Sequence, residues 1–153
     1  LVNNYRASGE WQPTVRKTLR NSTLQDNQFR FVMTKNGKVV QRVTNKADGS
    51  VPFAPEYYTL DDVGKTYNYE IFESNDRADK IRYDKSVHRI SVTVTDDGHG
   101  HITAQADTNS VGFVNVYDPD LPATGTLGII VSVSATIALL GVAFYLNKLR
   151  KRA

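Results

Sequence analysis

Between Trp11 and Tyr117 apolar residues recur at every second position in short runs, and turn residues interrupt those runs about every ten positions. A period of two is the mark of strands that bury one face. The first such run is Val15-Arg16-Lys17-Thr18-Leu19. Residues 29–34 and 38–44 flank Asn36-Gly37, a pair suited to a two-residue hairpin turn. Asp48-Gly49 turns the chain towards a short run at 51–53. Residues 67–73 put Tyr67, Tyr69 and Ile71 on one face, and 87–95 put Ile90, Val92 and Val94 on one face. After the turn Asp96-Asp97-Gly98-His99-Gly100, residues 102–106 pair back, and 111–117 form the last strand, ended by Asp118-Pro119-Asp120. Six to eight short strands with no helical period predict an all-β domain, an Ig-like β-sandwich over residues 11–118, with 1–10 as a polar linker.

The pattern changes completely after Leu121. Residues 127–146 are apolar on every face, broken only by small or weakly polar residues such as Gly128, Ser132, Ser134 and Gly141. About 20 residues rising 1.5 Å each as a helix match the ~30 Å hydrocarbon core of a bilayer. A C-terminal transmembrane helix is therefore expected, and a core helix is not, because no polar face is left for solvent. Lys148, Arg150, Lys151 and Arg152 crowd the tail at 147–153 with no acid among them. Such a cluster stays in the cytoplasm, which places everything before the span outside the cell.

Composition refines the picture. The formal net charge is +3 from 19 basic and 16 acidic residues, but four of the basic ones belong to the tail. Residues 1–125 hold fifteen cations and sixteen acids, so a nucleic-acid partner is not indicated. There is no cysteine. An extracellular domain of this size without disulfides needs another covalent or packing device to be stable. The chain opens Leu1-Val2-Asn3-Asn4 without an initiator Met or an apolar leader. Export is implied by the C-terminus, so a processed leader or further upstream domains are expected.

The five residues before the span are Leu121-Pro122-Ala123-Thr124-Gly125. Pentapeptide, apolar span and basic tail, in this order, resemble the cell-wall sorting signal of Gram-positive surface proteins. The resemblance implies cleavage between Thr124 and Gly125 by a sortase cysteine, and transfer of the Thr124 acyl group to an amine of peptidoglycan or of another subunit. Proline favours the extended backbone that an enzyme groove accepts, and glycine leaves the scissile carbonyl open to a thiolate. The membrane is then a temporary hold.

Three polar residues fall on apolar faces. Lys17 shares its face with Val15 and Leu19, Glu73 follows Tyr67, Tyr69 and Ile71, and Asn115 sits among Val111, Phe113 and Tyr117. One such residue at a strand end reaches water without difficulty. An amine, a carboxyl group and an amide all facing one core call for mutual pairing, since unpaired burial costs several kcal/mol.

The segments Lys17-Thr18-Leu19, Tyr67-Asn68-Tyr69-Glu70-Ile71-Phe72-Glu73, Ile81-Arg82-Tyr83-Asp84, Ser91-Val92-Thr93-Val94-Thr95-Asp96-Asp97-Gly98-His99-Gly100 and Phe113-Val114-Asn115-Val116-Tyr117 resemble, in order, the streptococcal pilin isopeptide-linkage domain, a Cna-B-like sandwich. The resemblance spans about residues 12–117. It implies an intramolecular amide between Lys17 and Asn115, assisted by Glu73. Glu70 is the competing carboxylate, but alternation sends it to the other face. Burial would lower the lysine pKa and raise that of the glutamate. A neutral amine then attacks the amide carbon of Asn115, while protonated Glu73 polarises the carbonyl and carries a proton to the departing ammonia. The event is single-turnover maturation, so the protein is not expected to be an enzyme.

Nothing implies a cofactor. His99 and His101 lie near Asp96 and Asp97 in a polar turn with no third ligand at suitable spacing, so no metal site is expected. The leading function is a wall-anchored stalk or pilus subunit. The alternative is an adhesin whose host-ligand site lies in loops or in upstream domains. A Tyr-Pro-Lys-like acceptor motif, expected of a polymerising backbone subunit, is absent from these residues.

Overall fold

The computed structural model describes residues 4–123 as an all-β chain with a single 3-10 turn at Leu60–Asp62. The expected span, the basic tail, Thr124 and Gly125 lie outside the described residues. The strands are β1 (Ser8–Trp11), β2 (Thr14–Arg20), β3 (Arg30–Lys35), β4 (Lys38–Thr44), β5 (Glu56–Thr59), β6 (Thr66–Ser74), β7 (Ile81–Arg82), β8 (Val87–Asp96), β9 (Ile102–Ala106) and β10 (Ser110–Tyr117). One compact unit comprises the chain up to Asp76 together with Arg82–Tyr117. In the second, residues 77–81 meet residues 118–121, where the Asp118 N–H donates to Lys80 O and the Lys80 amine to Leu121 O.

Five strands in the order β4-β3-β6-β8-β9 form one sheet, all antiparallel, and β2-β10-β7 form another. Their apolar faces meet: Phe31 of β3 packs its ring 5.2 Å from that of Phe113 of β10. The alternation that marks the strands also decides which side chains enter this core. β2 reads exposed–buried throughout, with Val15, Lys17 and Leu19 inward, and β6 buries Tyr69, Ile71 and Glu73. Asn36 and Gly37 take φ of 48° and 82°, the positive values that the tight β3–β4 turn requires.

Four elements depart from the period-two reading, one of them the two-residue β7, which no alternating run predicts. Residues 51–53 are not a strand, although Val51 and Phe53 are buried; the segment only touches β2, through the Arg16–Ser50 bridge and the Val51 N–H to Val15 O. β5 pairs with β1, and together they form a small separate sheet. β1 starts at Ser8, inside the stretch whose polarity suggests a linker, and is held by β5 rather than by apolar periodicity of its own.

Gly9 explains how β1 can lie where it does. A Cβ at this position would stand 2.2 Å from the carbonyl oxygen of Ile102 in β9, so only hydrogen allows the two backbones to approach so closely. Neither is a flexible side chain that could give way. Gly9→Ala should therefore destabilise the domain by about 1–3 kcal/mol, lowering its melting temperature by at least about 4 °C. An unchanged melt would mean that β1 does not pack on β9 in solution.

Candidate functional site

β2 is fixed at Lys17 from both sides. On one, the Lys17 N–H donates to Gly49 O at 2.7 Å; Gly49 has φ +87° and no room for a Cβ, which would lie 2.7 Å from Lys17 O. On the other, β10 runs parallel to β2, with Phe113 opposite Lys17 and Asn115 opposite Leu19. Lys17 and Asn115 are thus diagonal neighbours on the inward face. Glu73 reaches them from β6 in the facing sheet.

The three predicted residues meet through the carboxyl group. Lys17 Nζ donates to Glu73 Oε2 at 2.6 Å, and Asn115 Nδ2 donates to Glu73 Oε1 at 2.6 Å. Neither the Lys17 nor the Glu73 side chain has any exposed surface, and Asn115 is 0% exposed. The amine sits 4.7 Å from the ring centre of Phe29 and 5.8 Å from that of Phe31. Among aromatic walls and without water, Glu73 offers the lysine its charged partner.

Burial pushes the Lys17 amine below its ordinary pKa, against the opposing pull of its hydrogen bond to Glu73. The same burial pushes Glu73 up, against the donors Lys17 and Asn115. Both shifts favour the uncharged forms. Passing one proton from Lys17 to Glu73 removes two buried charges at once and leaves a free amine lone pair beside a carboxylic acid.

The carbonyl end of Asn115 is held differently from what the residue pattern implies. Glu73 meets the amide nitrogen, while Asn115 Oδ1 accepts the backbone N–H of Asp84 at 2.7 Å. The donor aimed at this carbonyl is therefore the main chain of residue 84 and not Glu73. The Asp84 carboxylate accepts the N–H of Val114 at 2.8 Å, and both the N–H and the hydroxyl of Ser86. Burial alone would push Asp84 up, but the Ser86 and Val114 donors, with Lys17 nearby, hold it below the usual carboxylate value. Asp84 carries no period-two signal, since it lies outside the strands and contributes a main-chain group.

Other polar residues make useful contrasts. Glu70 lies on the outer face, paired with Arg89 at 3.0 Å. Asn45 is as buried as Asn115, but its side chain only braces backbone: it accepts the Phe29 N–H and donates to Gln25 O and Lys46 O. The groups of the site occur together once more, where Glu56 lies 3.7 Å from Lys35 Nζ and accepts from Gln41 Nε2 at 2.9 Å. Gln41 Oε1 even accepts a backbone N–H, that of Ala54. The differences are distance and water: the contact is 3.7 Å against 2.6 Å, and the Lys35 and Glu56 side chains are 23% and 15% exposed, against 0% for Lys17 and Glu73. His99 turns back onto Asp97 O, and among the described residues no cluster of His, Asp and Glu is arranged to hold a metal. Of the pentapeptide, Leu121 donates its N–H to Asp118 O within the second unit.

The family model FctA, a Spy0128-like isopeptide containing domain, matches residues 13–118, a stretch that includes Lys17, Glu73, Asp84 and Asn115. No curated protein matches the chain.

The buried carboxyl group makes a pH-dependent prediction. In Lys17→Met, Glu73 keeps its burial and loses the neighbour that opposes the upward shift. A folded-state pKa above the unfolded value means that the folded state holds the proton more tightly, so stability is full at low pH and is lost as pH rises through the raised value. Urea unfolding of Lys17→Met should weaken from the ordinary carboxylate range upward, relative to Lys17→Met/Glu73→Gln, whose side chain does not titrate. A difference between the two proteins that stays constant with pH would show that Glu73 is not a buried acid.

Proposed function

The chain belongs to the FctA family of Spy0128-like isopeptide-containing domains, a pilin-type surface protein, and on that premise we propose that Lys17 and Asn115 join in an intramolecular amide. The observation that carries this reading is the single buried carboxyl group hydrogen-bonded at 2.6 Å to both the amine and the amide nitrogen. In the proposed step Lys17 Nζ attacks Asn115 Cγ, the Cγ–Nδ2 bond breaks, and ammonia leaves. Glu73 gives its proton to the departing nitrogen and takes one from the attacking amine, ending as it began. Nothing turns over after the first event, so the role is structural. The partly exposed Lys35–Glu56–Gln41 set, with its longer 3.7 Å contact and water at hand for its charges, should stay unlinked.

The bond would close a loop of roughly 100 residues, which in the chain-entropy model is worth about 4.7 kcal/mol less any strain. It would stand in for the disulfides that this cysteine-free domain lacks. Intact mass of the domain should be lower by one ammonia, not two, and peptide mapping should recover Lys17 joined to Asn115. Glu73→Ala should restore the unlinked mass and lower the melting temperature while keeping the fold. An unmodified wild-type mass, or a link that persists in Glu73→Ala, would overturn these roles.

The second part of the proposal is attachment. Leu121-Pro122-Ala123-Thr124-Gly125, the apolar span and the basic tail support sortase transfer of the Thr124 acyl group to the wall or to another pilus subunit on a Gram-positive surface. Wall fractions from sortase-competent cells should contain a form ending at Thr124 on a peptidoglycan fragment or subunit. Recovery of full-length chain by detergent alone would count decisively against it.

A further inference from the structure

The geometry points to residue 84 as the oxyanion donor of this site: its main-chain N–H stabilises the charge that develops on Asn115 Oδ1, and its carboxylate is the positioning group that holds the N–H there. This inference rests on the Lys17–Asn115 reading above. When Nζ bonds to Cγ, the carbonyl electrons move onto Oδ1, and they return as the Cγ–Nδ2 bond breaks and ammonia departs. A fixed donor aimed at that oxygen favours the tetrahedral species over the planar amide. The Asp84 N–H stands 2.7 Å from it.

The same N–H settles which way the amide points. A backbone donor pairs with a carbonyl oxygen and not with an NH2 group, so the end of Asn115 that faces residue 84 is Oδ1. Nδ2 is thereby turned to Glu73, the one group of the site with a proton to give the leaving nitrogen. Reversed, the amide would present Oδ1 to the acid and leave ammonia without a proton source.

The carboxylate makes the placement rigid. Asp84 Oδ2 accepts the N–H of Val114, the residue directly before Asn115, so side chain and main chain of one residue grip two successive positions of β10. Ser86 locks the other oxygen, through its N–H at 2.9 Å and its hydroxyl at 2.5 Å. β7 lies along β10 on the side away from β2, and the chain leaving it delivers residue 84 to this spot.

The test follows linkage over time in the full chain, made by cell-free synthesis with a short labelling pulse, quenched in denaturant and resolved by intact mass. Folding of each variant is checked by circular dichroism. Asp84→Pro removes the N–H and should slow linkage by about 10²–10³-fold. A folded Asp84→Pro that links at the wild-type rate overturns the inference and leaves the Lys17–Asn115 reading standing. Wild type that never links overturns that reading itself. Should Asp84→Pro not fold, Asp84→Ala and Asp84→Asn decide. Alanine keeps the N–H but frees it, with at least about tenfold slowing expected. Asparagine retains an acceptor for the Val114 N–H and should restore most of the rate. A folded Asp84→Ala that links as fast as wild type overturns the assignment.

Discussion

The structure depends on one constraint, that an amine and a carboxyl group are both taken fully out of water. Charged, such a pair loses much of its attraction to desolvation, and removing either partner strands the other. Every feature around Lys17 and Glu73 answers that problem. Phe29 and Phe31 flank the amine, Asn115 satisfies the second carboxyl oxygen, and burial shifts both groups towards their uncharged forms. The half-buried Lys35–Glu56 pair brings together the same kinds of group without the constraint. A shorter contact, 2.6 Å against 3.7 Å, and complete burial together single out the first set.

The backbone serves this arrangement at positions far apart in the chain. Gly49 lets the 46–51 segment lie against β2 at Lys17, β10 brings Asn115 alongside in parallel, and the segment after β7 closes on the amide from beyond β10. Glu73 comes from the opposite sheet, so the site exists only once the two layers have packed. No short piece of the chain contains the chemistry, which is a property of the folded core.

Much of this was legible in the sequence because period two reports both strand and face. It located β2, β6 and β10, and it put Lys17, Glu73 and Asn115 on inward faces while sending Glu70 outward. It missed β1, β5 and β7, all too short to show a period: Ser8-Gly9-Glu10-Trp11 and Glu56-Tyr57-Tyr58-Thr59 become strands by pairing with each other, and Ile81-Arg82 by lying along β10. It made a strand of 51–53, where apolar residues are buried from an irregular segment. It gave no hint of Asp84, since a main-chain N–H is present at nearly every residue and only tertiary placement makes one of them special. The parallel register of β2 and β10 was equally invisible, being fixed by packing rather than by either strand alone.

That register has a mechanical meaning. β2 and β10 point the same way, and Asn115 stands two residues further along than the partner of Lys17. With the amide closed, a pull on the two ends of the domain climbs β2 to Lys17, steps sideways and forward to Asn115, and leaves along β10 without doubling back. Everything between those residues is slack. A domain so wired would resist lengthening between Lys17 and Asn115, so that under load only the stretches outside that loop, β1 among them, would peel away. The linked part would keep a nearly constant length, and any give in a tether built on it would have to come from elsewhere.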